Sequence, residues 1–485
     1  MYKVIKTNDN KYSVKKDGAQ RASKVFDKKS DADAYCQKMN SASSSSSTGQ
    51  SKSKKVDNND KVKTTSSNKS KSKTKSKLKK AWLWVLGILG VGAATAGGVA
   101  VVTNVKSQSN TVEGVVYDEF KVNFLELGNE YAGDCTYIKA GDIDIVIDAG
   151  SRKDSAKTIK KYIDQYCTDG KIEYVIATHA HQDHIAGFVG SSEKGTRIGL
   201  LYQYKIGTII DFALSNSAST LYSDYLDAID YAVDNGAKHY TAAECWNQEN
   251  GAKQSYQITD KVTMNILYNY YYFNDASKTD GKENNYSVCT LFTYNGEGVD
   301  SETSSNSKIT RNFLFTGDLE KEGEEKLAEY YSLDGHPTLP HCDLFKGGHH
   351  GSKTSSNECL LSLITPDICC VCCCAGTTEY TTNRVNTFPT QDFINRIAKY
   401  TDKVYITSMY NEETGKFKSM NGNIIVSCQG LNLGLASTNN LTKLKDSDWF
   451  SHTVYVDDKD KIVGKNTSGA KGVPCRTMPD EWKTS

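Results

Sequence analysis

THAHQDHIAG, residues 178–187, places three of the chain's nine histidines and one aspartate within six positions, in the order His-x-His-x-Asp-His. Imidazole nitrogens and carboxylate oxygens are the donor set of zinc and related divalent ions. A divalent ion with an open coordination position lowers the pKa of a bound water to near neutrality, which is the basis of hydrolytic chemistry. His179 and His181 are two apart, so on an extended stretch their side chains point the same way. Asp183 and His184 follow directly, and the same loop can therefore serve two adjacent metal positions. IEYVIAT, residues 172–178, reads as a β-strand running straight into the motif, which puts the ligands just after a strand end, where α/β folds build their sites.

The surrounding sequence repeats this style. VNFLEL (122–127), CTYIKA (135–140) and DIDIVID (142–148) read as strands, and SRKDSAKTIKKYIDQYC (151–167) has the apolar spacing of a helix. RNFLFTGD (311–318) is a strand ending in Gly317 and Asp318. HCDLFKGGHHGS (341–352) ends in His349 and His350, and DICCVCCCAG (367–376) is a third strand of the same kind. GEGVDSETSSNSK (296–308) reads as a polar insertion forming an exposed hairpin loop. Asp318 is the best candidate for a carboxylate bridging two metal positions, with Asp183 and Asp318 the candidate catalytic carboxylates. The metal set is then His179, His181, Asp183, His184, Asp318 and one of His349 and His350. Ser352, Lys353 and Thr354 stand where hydroxyl and ammonium groups could contact a phosphate.

In this order, THAHQDH, TGD and GGHHGS resemble the metallo-β-lactamase superfamily. The resemblance implies an αββα sandwich, an α/β fold holding one or two metals, zinc by its imidazole count with manganese as an alternative. Asp148 in VIDAGS matches the superfamily's first acidic motif, which implies a buried carboxylate supporting the metal-binding loop. NNYSVCTLFTY (284–294), FLFTGDLE (313–320), CDLFKGGHHGSKTSS (342–356) and NTFPTQDFINRI (386–397) most resemble the carboxyl-terminal domain of the competence DNA-uptake channel ComEC. That likeness implies phosphodiester cleavage, with nucleic acid as one substrate. The teichoic acid phosphorylcholine esterases are similar as well, and imply a cell-wall polymer instead. The superfamily usually has another ligand histidine between HxHxDH and the later aspartate. Here the only histidine in that interval is His239, in a context that does not suggest a ligand. A metal-binding or interaction module that has lost its activity is the alternative from a different class.

Composition sets the rest of the organisation. The net charge of +1 conceals a basic amino-terminal part. Residues 1–40 read as a small α+β domain, similar to a bacterial family of unknown function. Residues 41–80 form a Lys/Ser-rich linker with almost nothing apolar to bury, expected to be disordered and attracted to anionic lipid. Residues 81–105 run without a charge for the length of a transmembrane helix, with Trp82 and Trp84 at its start. The lysines before this span and the single Lys106 after it orient the amino terminus in the cytoplasm and the catalytic part outside the cell membrane. The hydrolase domain is expected over 112–430, followed by a carboxyl-terminal extension, 431–485. Of fourteen cysteines all but Cys36 follow the span, and five crowd into CCVCCC, where they read as small hydrophobes of a buried strand.

Overall fold

The computed structural model describes residues 111–273, 282–300, 302–411 and 414–483, together with short stretches between residues 2 and 37. The linker at 41–80 and the span at 81–105 lie outside the described residues. Among the described residues no helix is long and apolar enough to cross a membrane. The chain divides into two units, residues 1–107 and 108–485. In the first, Tyr2–Lys6, Tyr12–Lys16 and Lys24–Phe26 form an antiparallel sheet in chain order, with Val14, Ala32 and Cys36 as its small core.

Two large sheets form the sandwich of the second unit. One has nine strands in the order Lys238–Thr241, Lys205–Asp211, Lys171–Ala177, Ile143–Ile147, Thr136–Ala140, Phe120–Phe124, Ile424–Gln429, Asn432–Ser437 and Thr111–Glu113. The other has eight: Ser255–Gln257, Val262–Ile266, Thr290–Val299, Asn306–Phe315, Leu344–Lys346, Ile368–Ala375, Val404–Asn411 and Lys416–Ser419. Their inner faces meet through aromatic rings. Phe120 packs edge-on against Phe313 with centroids 5.0 Å apart, and Phe124 lies 6.2 Å from Phe315. Such a sandwich buries one apolar face of each sheet against the other, while helices cover the outer faces.

The strand Ile368–Ala375 is buried throughout and shows the period-two rule at work. Cys370 and Cys372 join the core between the sheets, whereas Cys369, Val371 and Cys373 join the core on the opposite face, with Leu360, Leu361 and Phe393 of the covering helices. The cysteines are thiols used as compact apolar groups. The expected loop at 296–308 is mostly ladder: Gly296 pairs with Ile309 and Val299 with Asn306, leaving only the tip as a turn.

The expected domain end at 430 falls within a pair of strands. Ile424–Gln429 and Asn432–Ser437 form one antiparallel hairpin within the nine-stranded sheet, and Gly430, at φ 56°, is its turn. A glycine there supplies a left-handed turn conformation rather than a boundary. The residues after this hairpin remain attached to the sandwich. Trp449 is buried in the second core, and Arg476 is buried while donating to Pro389 O at 2.9 Å and to Thr387 Oγ1 at 2.9 Å.

Parallel strands bring the site together. Ile143–Ile147, Lys171–Ala177, Lys205–Asp211 and Lys238–Thr241 run parallel in one sheet. Asn306–Phe315, Leu344–Lys346, Ile368–Ala375 and Val404–Asn411 do so in the other. Asp148, the HxHxDH loop, Asp318, the double histidine and the loop bearing Tyr380 all follow the carboxyl ends of these parallel strands.

Candidate metal centre

His181 caps the helix Gln182–Val189 in an extended conformation, so the chain turns from strand to helix inside the motif itself. His179 and His184 are completely buried, and Asp183 is buried in the first turn of that helix. His179 Nε2 lies 3.0 Å from His181 Nδ1. Asp148, at φ 58°, accepts from Thr178 N at 2.7 Å and from Thr178 Oγ1 at 2.8 Å, and its Oδ2 lies 2.7 Å from His184 Nδ1. A non-glycine residue at positive φ costs conformational energy and persists where its surroundings over-determine it. Asp148 thus fixes both the entry to the loop and the orientation of one of its imidazoles.

Asp318 arrives from the other sheet on the turn after Phe315. Gly317, at φ 54°, lets this turn approach the loop so closely that an added Cβ would stand 2.8 Å from Thr178 Cβ and from Ser287 Oγ. Ser287 Oγ accepts from Asp318 N at 3.1 Å. Around Asp318 Oδ2 four imidazole Nε2 atoms gather: His184 at 3.1 Å, His350 at 3.6 Å, His349 at 3.8 Å and His179 at 4.0 Å. His350 Nε2 is also 3.3 Å from Asp183 Oδ2. Of the metal candidates read from the sequence, His179, His181, Asp183, His184, Asp318, His349 and His350 therefore occupy one site.

Several members of the site carry no sequence signal. Asp134, in AGDC, is buried with its Oδ1 3.3 Å from His350 Nδ1 and its Oδ2 2.5 Å from Lys346 Nζ. Lys346 is itself buried and lies 4.0 Å from Asp318 Oδ1. Ligand atoms of Asp134, His184, Asp318 and His350 all fall within 4.8 Å of one another. Tyr380 donates its hydroxyl to Asp183 Oδ2 at 2.6 Å although its residue is 53% exposed. Its loop is held by Glu379, which accepts from Ala132 N at 2.9 Å and pairs with Arg152. Phe388 packs 5.5 Å from the His349 ring and 5.8 Å from that of His350, and Arg476 grips the backbone beside it.

The suggested phosphate contacts have other partners here. Ser352 is buried, and its hydroxyl pairs with Thr354 Oγ1 at 3.0 Å. Thr354 Oγ1 also meets His349 Nδ1 at 3.2 Å and donates to Glu320 Oε1 at 3.1 Å. Lys353 reaches Asn386 Oδ1 at 2.9 Å. Ser352 and Thr354 thereby brace the histidine turn. His239 lies 3.0 Å from Asp211 Oδ1 on the neighbouring strand, apart from this cluster.

Charge in the site is concentrated and mixed. Burial disfavours protonation of His184, but Asp318 and Asp148 outweigh it and hold its pKa well above the usual value. His350 behaves alike: against burial, Asp134 and Asp318 raise it to about 10. Burial opposes ionisation of Asp318, yet His184, His350 and His349 hold its carboxyl well below the usual range. Burial keeps His179 well below the usual histidine value, leaving it a neutral imidazole. Asp318 Oδ1 is buried and accepts no hydrogen bond. A buried carboxylate with one oxygen ringed by imidazole nitrogens and the other left without a hydrogen bond is a donor set that fits a divalent cation. Each nitrogen facing inward is complemented by a partner on the opposite ring nitrogen, the arrangement that orients histidine ligands.

Residues 128–218 match the model of the metallo-beta-lactamase superfamily. No curated protein matches the chain. Among solved structures, similar ones include a Thermotoga maritima protein classed as a metallo-beta-lactamase, at 14% identity over 41% of this chain and 79% of that one, with a TM-score of 0.23. Another is a mutant of the CmlA beta-hydroxylase, at 10% identity over 64% of this chain and 54% of that one, with a TM-score of 0.31. The matched segment, residues 128–218, contains Asp134, Asp148 and the whole HAHQDH loop.

Proposed function

We propose that the second unit is a metal-dependent hydrolase of phosphodiesters. The observation that carries this reading is the convergence of four imidazole Nε2 atoms, from two sheets, on the single oxygen Asp318 Oδ2. Bound there, zinc or manganese supplies a Lewis acid for the phosphoryl oxygens and activates water. His179, His181, Asp183, His184, Asp318 and His350 would hold it. The residues do the remaining work: Asp318 spans the two halves of the site, and Asp134 and Asp148 fix imidazole orientation. With a cation bound at Asp183, the Tyr380 hydroxyl that otherwise donates to Asp183 Oδ2 would be released to donate to a substrate oxygen.

Phosphodiester specificity rests on the likeness of the Asp318 and double-histidine segments to the ComEC domain. A phosphorylcholine ester on a cell-wall polymer shares the bond type. Residues 81–105 are read as a single membrane anchor that places this unit outside the cell, near extracellular nucleic acid or wall polymer, with the basic linker against anionic lipid on the inner side.

The test uses the full chain in detergent, stripped of metal and reloaded with zinc or manganese. Bis-p-nitrophenyl phosphate, single- and double-stranded DNA and a phosphorylcholine ester are offered in turn. Hydrolysis that disappears in both H181A and D318A is the expected result. Absence of turnover with every ion and substrate would sink the enzyme reading. Protease added to intact cells should digest the carboxyl-terminal unit, and its protection would reverse the orientation.

A further inference from the structure

We infer that His349 and His350 are both metal ligands, serving two different metal positions from one turn. This rests on the metal-dependent reading above. Successive residues of an extended strand send their side chains to opposite faces. Here both histidines adopt left-handed backbone conformations, with φ of 47° and 53°, in the turn Gly348–Gly351 beyond the strand Leu344–Lys346. The result is that the two neighbouring imidazoles face the same carboxylate oxygen, Asp318 Oδ2, at 3.8 Å and 3.6 Å. Two consecutive non-glycine residues at positive φ are costly, and such strain persists where the surroundings enforce it.

The opposite nitrogens explain how the rings are held. His350 Nδ1 meets Cys372 O at 2.9 Å and Asp134 Oδ1 at 3.3 Å. His349 Nδ1 meets Thr354 Oγ1 at 3.2 Å and has Glu320 Oε1 at 3.6 Å. In each case Nε2 is left facing Asp318, as in ligating histidines oriented by a carboxylate, carbonyl or hydroxyl behind them. The two rings then diverge in company. His350 Nε2 also lies against Asp183 Oδ2, 3.3 Å away, and its ring is 5.3 Å from that of His184, so it belongs with Asp183 and His184.

His349 is the remaining imidazole facing Asp318. His179 Nε2 also faces Asp318 Oδ2, at 4.0 Å, and lies 3.0 Å from His181 Nδ1. With Asp318 Oδ2 shared, they lack a third nitrogen ligand within their own loop, and His239 is engaged with Asp211. His349 supplies that ligand. The shared Asp318 then joins a position made by His179, His181 and His349 to one made by Asp183, His184 and His350. Both are histidine-rich positions suited to zinc.

Metal stoichiometry of the full chain distinguishes the possibilities without recourse to activity. After chelator treatment, reloading with zinc and removal of excess ion, the wild type should hold two equivalents by elemental analysis. H349A and the bulkier H349Q should hold one, with circular dichroism showing a folded chain. Titration with Co(II) should lose one of two sequential absorption changes in either variant. T354V, which removes the hydroxyl behind Nδ1 together with its bonds to Ser352 and Glu320, should retain both positions but weaken one about 10-fold or more. Two equivalents in both His349 variants, or one in the wild type, would overturn the double-histidine assignment while leaving a metal hydrolase intact. A wild type that holds no metal and hydrolyses nothing would overturn both readings.

Discussion

Tyr380 Oη lies 2.6 Å from Asp183 Oδ2, so a phenol from a half-exposed loop reaches a buried carboxylate of the metal centre. Removing that hydroxyl in Y380F leaves the ring on Phe388, whose centroid is 5.9 Å away, and leaves all proposed ligands in place. Metal content should be unchanged, while kcat on bis-p-nitrophenyl phosphate should fall about 10- to 100-fold, the range of a single hydrogen-bond donor that acts chiefly in the transition state. Wild-type kcat in Y380F would assign the tyrosine to the surface alone.

Lys346 and Asp134 form a buried ion pair, with Lys346 only 2% exposed. Asp134 is held below the usual carboxylate range because Lys346 and His350 overcome the effect of burial. K346M should cost about 3–5 kcal/mol, because it strands a buried carboxylate. The double variant K346M/D134L should recover part of the loss. Urea denaturation of the metal-free proteins measures both, and a K346M midpoint equal to the wild type would show that the pair contributes nothing.

How far the sequence discloses this site depends on whether a residue carries spacing information. His179, His181, Asp183 and His184 are legible because one loop contains them all. Asp318 and the histidine pair are legible because each ends a recognisable strand. Asp134 and Lys346 are not, since a lone aspartate in AGDC and a lysine inside LFKGG look like ordinary strand-end residues. Only the stacking of two sheets brings them together. Tyr380 and Arg476 are hidden for a similar reason: one lies in a loop and the other in a stretch with no motif, and their roles exist only through contacts far away in the chain. A turn glycine and a linker glycine are identical in sequence, so the hairpin around Gly430 is visible only in the strand pairing.

Gly317 makes the approach between the two halves of the site possible. G317A should be destabilised by about 1–3 kcal/mol from its positive φ alone, with further loss because its Cβ would press against Thr178. Thr178 is tied to Asp148, so the displacement should reach the HxHxDH loop and weaken zinc binding. Thermal denaturation and competition with a chromophoric chelator check the two effects, and unaltered zinc affinity in G317A would show that the turn tolerates the shift.

Glu324, completely buried on the helix Lys321–Tyr330, accepts from Ser356 N at 2.6 Å and from Asn357 N and Nδ2 at 2.7 Å. Burial raises its pKa to about 7 despite these donors and Arg396, from an ordinary 4.5. Between those values the native state binds a proton that the unfolded state does not. The associated stability is fully present below pH 4.5 and is lost as pH rises through 7, with an upper bound of about 3 kcal/mol. E324Q should flatten that part of the stability profile. The stability difference between wild type and E324Q, measured from pH 5 to 8, should change with pH, and a constant difference would contradict it.

The cysteine strand has a consequence for how long the molecule lasts in its surroundings. Burial pushes every thiol of the run upward, Cys369 and Cys374 to about 12, so in the native fold they are poor nucleophiles and sheltered from oxidants. Unfolding releases all five at once, adjacent in sequence and free to cross-link. Once that happens, the route back to the native sandwich closes. In an oxidising medium the working lifetime of the protein is then governed by how often the sandwich opens, a kinetic barrier, more than by the equilibrium balance between folded and unfolded chains.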